Sequence, residues 1–446
     1  MPSRTHIALF FLVNLALCSW HLDTGTNDSI ISRAALTAAI VEHGTVRIDA
    51  YHDGLGDKAL VNGHYYSDKA PLPSLTLVPV WWVAYHAGFV SPGKRGLLTE
   101  SLLATGGFLF GSVPLAIILS LLWWRGRKHG WYTRWGFPLT IIVPLFGSFL
   151  FVYSGTFYNH VPAALFVLLS SFAIADERPV AAGLWASAAV LSDTALAILV
   201  AVQGLQFLVF HGWRKTFRFG AALLPAIVGL LAWNDLVTGS PLSFTAAHAA
   251  NYPEMHSAYG FGASFFAGTP GLLFSAHRGL FFFMPALLCI VLVRWRPGLR
   301  GFLSDPWVIP SVVYVTAYCT HATWWGGWAY GPRYLAAPGL LLFVFTLHHL
   351  RAQQWASVAL LVTGAVGCLF SLSAKCTVWY SMPTEVKNPI RDLVFPAITE
   401  GRFTTAQWPV WFGMDPGVAC LCFVLLFASG LVALVRIDRA ARISSI

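Results

Sequence analysis

Apolar segments long enough to cross a lipid bilayer recur along the whole sequence. A hydrocarbon core about 30 Å thick is spanned by about 20 apolar residues in a helix, which satisfies its own backbone hydrogen bonds. Only 11% of the residues are charged, against about a quarter in soluble domains, so a water-soluble fold is excluded. The sequence predicts an all-α polytopic membrane protein with about twelve transmembrane helices and with interfacial helices in the first external loop.

Each predicted spanning segment is an apolar stretch bounded by polar residues. The segments are 7–21, 99–123, 137–157, 161–175, 180–192, 195–210, 220–238, 280–293, 306–320, 334–347, 355–373 and 416–435. The stretch 71–90 is also apolar, but its three prolines and the adjacent Trp81 and Trp82 are typical of a helix at the membrane interface. We therefore predict that 71–90 lies on the membrane surface.

The distribution of charge orients these segments. When 71–90 does not span, 16 of the 28 Lys and Arg residues but only four of the 19 acidic residues fall on one side of the membrane. The basic set includes Arg134, Arg294, Arg296 and Arg351. Basic residues beside helices mark the cytoplasmic side, so both termini are predicted to be cytoplasmic. Because these residues border apolar segments and form no solvated patch, no nucleic acid is expected as a partner.

The first external loop holds the densest group of ionisable residues. Asp28 follows the first apolar segment closely, and a short apolar run then ends at Gly44, which predicts an amphipathic helix on the membrane surface. The segment 63–71 adds aromatic and charged residues, namely His64, Tyr66, Asp68 and Lys69. A cation at this depth can meet a lipid phosphate. An external active site is expected from this loop.

Two of these features resemble the GT-C superfamily of membrane glycosyltransferases, in particular the branch with protein O-mannosyltransferases and the bacterial aminoarabinose transferase of lipid A. That branch places an acid early in the first external loop and an acid-Lys-Pro-Pro-like element before an interfacial helix. Asp28 matches the first feature, and Asp68-Lys69-Ala70-Pro71 matches the second, with Ala70 in place of a proline.

The resemblance covers about the first 220 residues and implies a division of the chain. Residues 1–220 would form a GT-C-like catalytic transmembrane module with the first external loop at 21–98. Residues 221–446 would form a variable transmembrane module, with no separate soluble domain. The external loops of this second module are predicted at 239–279, 319–333 and 374–415.

The resemblance also implies roles for individual residues. Asp28 would act as general base, because a carboxylate near an acceptor hydroxyl can remove its proton. Lys69 would bind the donor phosphate, and Asp68, His64 and Tyr66 would contact the substrate. The family often has another acid where the third and fourth helices meet. This chain has Asn159 and His160 there, so both are expected to bind substrate in its place.

Two segments of the second half place arginines beside aromatic and glycine residues. Arg278 follows Leu273-Phe-Ser-Ala-His277, and Arg333 follows Trp324-Trp-Gly-Gly-Trp-Ala-Tyr-Gly-Pro332. Arginine forks suit phosphate oxygens, so both arginines are predicted to bind the donor phosphate, and Trp325 and Tyr330 to bind the sugar or the prenyl chain. Asp68, His248 and His256 are candidate ligands of a divalent metal ion, although their spacing matches no metal motif.

The expected function is an inverting sugar transfer at the periplasmic face of a bacterial inner membrane. The partners would be a polyprenyl-phosphate-linked sugar, a lipid, polysaccharide or protein acceptor, and membrane lipids. Three alternatives remain open: a secondary transporter or lipid flippase, a membrane scaffold whose outer loops bind a partner, and a glycan ligase or polymerase that uses a diphosphate-linked donor. Ion-coupled uptake or lipid flipping without transfer would favour the first alternative.

Overall fold

The structure is a computed structural model that describes residues 2–25, 27–89, 97–131, 138–293, 298–350 and 354–443. Within these ranges the chain is almost entirely helical, with one small antiparallel sheet. Arg134, Arg294, Arg296 and Arg351, which belong to the predicted cytoplasmic set, lie outside the described residues, as does the end of the predicted interfacial stretch.

The helices of the first half alternate between long apolar elements and short connecting ones. They are α1 (Arg4–Cys18), α2 (Asp28–His43), α3 (Leu72–His86), α4 (Leu97–Gly107), α5 (Val113–His129), α6 (Leu139–Phe146), α7 (Phe149–Val152), α8 (His160–Ala175), α9 (Pro179–Ser192), α10 (Ala197–Gln206), α11 (Trp213–Ala222) and α12 (Leu224–Thr238). Strands β1 (Ala59–Val61) and β2 (His64–Tyr66) lie between α2 and α3.

The second half has shorter elements before its last long helices. They are α13 (Phe265–Leu273), α14 (Leu280–Phe283), α15 (Gly298–Leu303), α16 (Val308–Tyr318), α17 (Ala336–Leu350), α18 (Gln354–Cys376), α19 (Phe395–Thr399), α20 (Trp408–Trp411) and α21 (Pro416–Ile443). Turns of 3-10 helix lie at Thr194–Leu196, Thr245–His248, Pro253–Met255, Ala258–Gly260, Pro285–Leu292 and Arg333–Leu335, and π-helical turns at Phe108–Ser112, Phe207–His211 and Ile390–Val394.

Five of the described helical stretches are long and apolar enough to cross a membrane. They are Glu100–His129, Thr194–His211, Trp213–Thr238, Trp355–Cys376 and Pro416–Ile443. Four more apolar helices are shorter: Arg4–Cys18, His160–Ala175, Pro179–Ser192 and Val308–Tyr318. The prediction of a helical membrane protein is confirmed in this form, whereas the count of twelve spans is not.

Two predicted spans are not continuous α-helices, for a local reason. Segment 137–157 is divided into α6 and α7 by Gly147, whose backbone packs so closely on Gly364 of α18 that a Cβ would collide with the Gly364 carbonyl. Segment 280–293 has only four residues of α-helix before Pro285 opens a 3-10 turn. Proline removes a backbone donor and clashes with the preceding turn of an α-helix. Close backbone packing at Gly147 and the proline at residue 285 therefore interrupt the continuous helices that the apolar pattern predicts.

Helix α2 begins and ends where the sequence predicts, but its surroundings differ from the prediction. The side-chain oxygen of Asn27 accepts the Ser29 N–H at 3.0 Å, and Gly44 closes the helix in the left-handed conformation at φ +62°. Almost every side chain of α2 from Ser29 to Ala39 is buried, and the helix packs against α3 and α4. The amphipathic helix expected on the membrane surface is instead the core of a folded layer.

The short sheet sets the position of the residues that precede α3. β1 and β2 pair antiparallel through an Asn62–Gly63 turn in which both residues have positive φ, the usual conformation of a two-residue hairpin. Asp49 fixes β2 by accepting the Tyr65 N–H at 2.6 Å. Ser67 follows directly, and its hydroxyl lies 2.8 Å from the hydroxyl of Ser32 on α2. Asp68 and Lys69 are thereby held against α2.

Loops from the two halves of the chain contact one another. Isolated bridges pair His21 with Gln407, Ala59 with Ala249, and Phe261 with His321. The side-chain amide of Asn27 donates to the Trp328 carbonyl at 3.0 Å. The four segments predicted to be external loops therefore form one connected layer.

Candidate functional site

Two cavities lie side by side within this layer. The larger, about 550 Å³, is called the acidic cavity because three carboxylates, Asp28, Asp57 and Glu254, line it and not its neighbour. The smaller, about 420 Å³, is called the basic cavity because Arg33 lines it and does not line the acidic cavity. Both cavities are lined by Asp68, Lys69, Met255, Arg333 and Tyr334, which form a shared wall.

Lys69 stands at the shared wall between two carboxylates. Its Nζ lies 2.8 Å from Asp57 Oδ2 and 3.0 Å from Asp68 Oδ2. Burial acts to raise the pKa of Asp57, but the charge and hydrogen bond of Lys69, together with Arg333 and Tyr252, hold that pKa below its usual value. Burial raises the pKa of Asp68, whose Oδ1 atom is buried without a hydrogen-bond partner. The pair of acids keeps the Lys69 ammonium charged and fixed in place.

Asp28 lies at the first residue of α2 and faces the acidic cavity. Gly56 leaves room for this carboxylate, because a Cβ at residue 56 would collide with Asp28 Oδ2 unless the Asp28 side chain moved. Burial, followed by the like charge of Asp57, raises the pKa of Asp28, although the Gly56 N–H and the Lys69 charge oppose the shift. A carboxylate with a raised pKa is a better proton acceptor near neutral pH than an ordinary one.

Arg333 enters both cavities without a partner for its guanidinium group. No other described residue forms a hydrogen bond or ion pair with that group, and its Nε is buried and unsatisfied. The guanidinium carbon lies 5.2 Å from the ring centroid of Tyr158 and equally far from that of Tyr334. Gly326 and Gly327 turn with φ of +71° and +69° beside its side chain. The surrounding rings and turn position this charge at the shared wall.

Arg33 is a site residue that the sequence analysis did not select. Its side chain is 3% exposed and lines the basic cavity. It donates to the Ser29 carbonyl and to Asn159 Oδ1, both at 2.5 Å, while its Nε has no partner. The available signal was a single charged residue inside an otherwise apolar helical run. Buried charges without compensation are costly, so such a residue marks a site or an ion pair.

Asn159 and His160, which are predicted to bind substrate, both line the basic cavity. Asn159 accepts from Arg33 and donates to the Ser192 carbonyl at 3.0 Å, so it orients the guanidinium group. His160 Nδ1 lies 3.2 Å from Asp193 Oδ2. Asp193, at the end of α9, brings a carboxylate to this cavity, although the sequence analysis did not select it as a site residue.

Arg278 does not reach either cavity wall, contrary to the predicted phosphate-binding role. Its side chain is fully buried, and its three nitrogens donate to the carbonyls of His277, Trp325, Gly327 and Met382 at 2.7–3.1 Å. With its donors directed at backbone, Arg278 holds the loop that carries Trp325. Trp325, which is predicted to bind the sugar or the prenyl chain, lines the acidic cavity.

Three other predicted substrate contacts also lie away from the cavity walls. The His64 ring nitrogen Nδ1 pairs with Asp49 at 2.8 Å, and Tyr66 is buried in the layer over α2. Tyr330 is 1% exposed and packs edge-on against Phe283. These residues support the loops and do not line the cavities. They were predicted as substrate contacts because they are aromatic or charged, but in the structure their side chains contact neighbouring protein residues.

The candidate metal ligands are not brought together. His248 Nε2 lies 2.8 Å from the Ser243 hydroxyl, and His256 Nε2 lies 2.8 Å from the Ala249 carbonyl. Neither histidine lines a cavity with Asp68. Across the described ranges, no three His, Cys, Asp or Glu side chains are grouped as metal ligands.

Comparison of the chain with protein-family models, with curated proteins and with solved structures finds no match. The site must therefore be interpreted from its own geometry. It combines a carboxylate of raised pKa, Asp28, with two partly buried cations, Lys69 and Arg333, around one cavity. Such a site can remove a proton from one group and stabilise negative charge on another.

Proposed function

We propose that this chain is an integral-membrane glycosyltransferase that moves a sugar from a polyprenyl-phosphate-linked donor to an acceptor hydroxyl. The observation that carries the proposal is the placement of Asp28, Lys69 and Arg333 on the wall of one cavity. A base and a phosphate-binding pair on one cavity are the two functions that an inverting transfer requires. The resemblance of the first loop to the GT-C superfamily points to the same chemistry.

The reaction is a single displacement at the anomeric carbon. Asp28 accepts the proton of the acceptor hydroxyl while the hydroxyl oxygen forms a bond to that carbon. The bond from the anomeric carbon to the phosphate oxygen breaks, and its electron pair stays with the leaving phosphate. Lys69 and Arg333 stabilise this charge as it develops, which is where electrostatic catalysis is most effective. The products are the glycosylated acceptor and the polyprenyl phosphate.

A lipid-linked donor fits the surroundings of Lys69. Helix α3 begins three residues after Lys69 and is almost wholly apolar. Its Val80, Trp82 and Val83 side chains are about half exposed, which is typical of a surface that contacts lipid. A phosphate held by Lys69 would therefore lie at headgroup depth, with its prenyl chain directed into the bilayer. An external, periplasmic active site and cytoplasmic termini belong to this proposal.

The test is a transfer assay with the reconstituted full-length protein. The donor is a radiolabelled polyprenyl-phosphate sugar, and the acceptor is an envelope fraction from a strain that lacks the gene. Asp28→Asn and Lys69→Ala are compared with wild type, with Asp53→Asn as a control because its side chain is 75% exposed in the same loop. We expect transfer by wild type and the control only.

Undiminished transfer by both site variants would overturn the assignment. Movement of labelled lipid between leaflets without transfer would instead support the transporter or flippase alternative. Mass spectrometry of envelope glycans in the deletion strain identifies the acceptor class independently of the assay.

A further inference from the structure

Two arginines of the basic cavity, Arg33 and Arg333, have no acidic partner in contact among the described residues. Arg33 is 3% exposed, and the guanidinium of Arg333 lies at the shared wall with its Nε buried. No ion pair within the described ranges involves either residue. Burial lowers the pKa of Arg33 to about 10, which leaves the group charged at neutral pH. An unpaired buried charge is strongly unfavourable unless a ligand compensates it.

The acidic residues near this cavity contact cationic or imidazole side chains other than the two arginines. Asp68 contacts Lys69 at 3.0 Å, and Asp193 contacts His160 at 3.2 Å. Asp57 also contacts Lys69, from the side of the acidic cavity. The cavity therefore keeps two cationic groups with free donors, those of Arg33 and Arg333.

The two guanidinium groups line the same cavity and lie beside the same aromatic ring. Their central carbons lie 5.9 Å and 5.2 Å from the ring centroid of the same residue, Tyr158. Arg33 is held in position by Asn159, and Arg333 lies at the shared wall beside Lys69. A ligand that begins at the wall and extends into the basic cavity meets Arg333 first and Arg33 second.

From this arrangement we infer that the basic cavity binds a second phosphate of the donor, so that the donor is a polyprenyl diphosphate sugar. The inference rests on the proposed function and replaces its monophosphate-linked donor with a diphosphate-linked one. A monophosphate-linked donor carries one negative charge, which Arg333 or Lys69 alone can neutralise. A diphosphate-linked donor carries two, and its second phosphate would lie beside Arg33, which lines the basic cavity.

The order of groups across the two cavities agrees with an in-line displacement. Asp28 lies in the acidic cavity, Lys69 and Arg333 lie at the shared wall, and Arg33 lies in the basic cavity. The acceptor hydroxyl, the anomeric carbon, the first phosphate and the second phosphate would follow in that order. The bond between the anomeric carbon and the first phosphate breaks, its electron pair stays on that phosphate, and the proton of the acceptor goes to Asp28. The leaving group is then a polyprenyl diphosphate that remains in the basic cavity.

The experiment measures equilibrium binding of two product lipids to the full-length protein in nanodiscs. The probes are undecaprenyl phosphate and undecaprenyl diphosphate, with phosphatidylglycerol as a competing anionic lipid. The variants are Arg33→Gln and Arg33→Lys, with Arg391→Gln as the matched control because Arg391 is a highly exposed arginine paired with Asp392. Thermal unfolding of each variant shows whether it is folded.

We expect wild type to bind the diphosphate at least about tenfold more tightly than the monophosphate, since a charge-assisted hydrogen bond is worth about that much. Arg33→Gln should remove most of this preference while changing monophosphate binding by less than about threefold. Arg33→Lys should retain part of it, and Arg391→Gln all of it. If Arg33→Gln fails to fold, the comparison of the two lipids on wild type and Arg33→Lys decides.

Equal affinity of wild type for the two lipids would overturn the inference, as would competition by phosphatidylglycerol as strong as that by the diphosphate. The proposed function has a separate readout. If Lys69→Ala binds and transfers as wild type does, the glycosyltransferase assignment itself is wrong. If Lys69→Ala loses transfer while the two lipids bind equally, only the diphosphate is wrong.

Discussion

The acidic and basic cavities share a wall, but the charged side chains that line only one of them are acidic in the first and include an arginine in the second. In the acidic cavity, Asp28 has a like-charged neighbour, Asp57, and a raised pKa, so its environment favours uptake of a proton. In the basic cavity, Arg33 is buried and Arg333 is partly buried, and neither forms an ion pair with a carboxylate of the described ranges, so their environment favours an anion. The difference shows that one layer of loops places a carboxylate of raised pKa and a pair of arginines without ion-pair partners in adjacent cavities, which is the separation of roles that the proposed transfer requires.

The largest effect is expected for Asp28→Asn. Loss of the general base should lower the rate of transfer by about a hundredfold to ten-thousandfold. Binding of undecaprenyl phosphate should change by less than about threefold, because Asp28 lines only the acidic cavity. Single-turnover transfer and lipid binding, measured on the same preparation, check both. Equal losses of rate and affinity would mean that proton removal and lipid binding are not separated between the two cavities.

Arg278→Gln tests whether the proposed phosphate site includes Arg278. The variant removes donors from four buried carbonyls, so the free energy of unfolding should fall by about 3–5 kcal/mol. Denaturant titration in detergent measures the loss, with the exposed Arg391→Gln expected to stay within about 0.5 kcal/mol of wild type. A stable Arg278→Gln protein with weakened lipid binding would instead extend the phosphate site to Arg278.

Arg333→Gln should behave in the opposite way. Its guanidinium group has no hydrogen-bond partner among the described residues, so its removal should cost little stability. The affinity for undecaprenyl phosphate should fall by about tenfold to a hundredfold, because charge-assisted hydrogen bonds to phosphate are lost. Lipid binding in nanodiscs measures the change. An unchanged affinity combined with a large loss of stability would place Arg333 in the same class as Arg278.

Asp57→Asn should strengthen binding of the lipid phosphate. Asp57 occupies one side of the Lys69 ammonium at 2.8 Å and competes with an incoming phosphate for it. Removing this charge leaves Lys69 with Asp68 alone, so the affinity should rise by about threefold to tenfold. Asp53→Asn, which lies in the same loop and contacts no cavity, is the control. A weaker affinity in Asp57→Asn would show that Asp57 positions Lys69 for phosphate and does not compete with it.

The smallest effect concerns the pH dependence of transfer in the same variant. Asp28 must be ionised to accept a proton, so the rate should fall as the pH drops through its raised pKa. Because the Asp57 charge contributes to that rise, Asp57→Asn should lower the pKa of Asp28 and move the acid limb to lower pH. Transfer rates measured across the acid range check the direction. A shift of the acid limb to higher pH would mean that the titration of Asp28 does not cause it.

Short-range features of the site could be predicted, and features set by distant backbone could not. The capping residue Asn27 and the terminal Gly44 bound α2 through local geometry, and Asp68 and Lys69 stand directly before α3. Arg278 and Arg333 look alike in sequence, since both follow aromatic, glycine-rich segments. They differ because the carbonyls that engage Arg278 include one from Met382, 104 residues away. A charge inside an apolar run, as at Arg33, was the one local signal left unused.

The bond between Asn27 and the Trp328 carbonyl has a consequence for the synthesis of the protein. Asp28 and Lys69 leave the ribosome and are inserted long before Trp328 and Arg333 are translated. Until then the nascent chain has the proposed proton acceptor but lacks half of the proposed anion-binding groups. If the protein is the transferase proposed above, it becomes active only when the later loops dock, and a truncated translation product would not act on the lipids of the membrane that holds it.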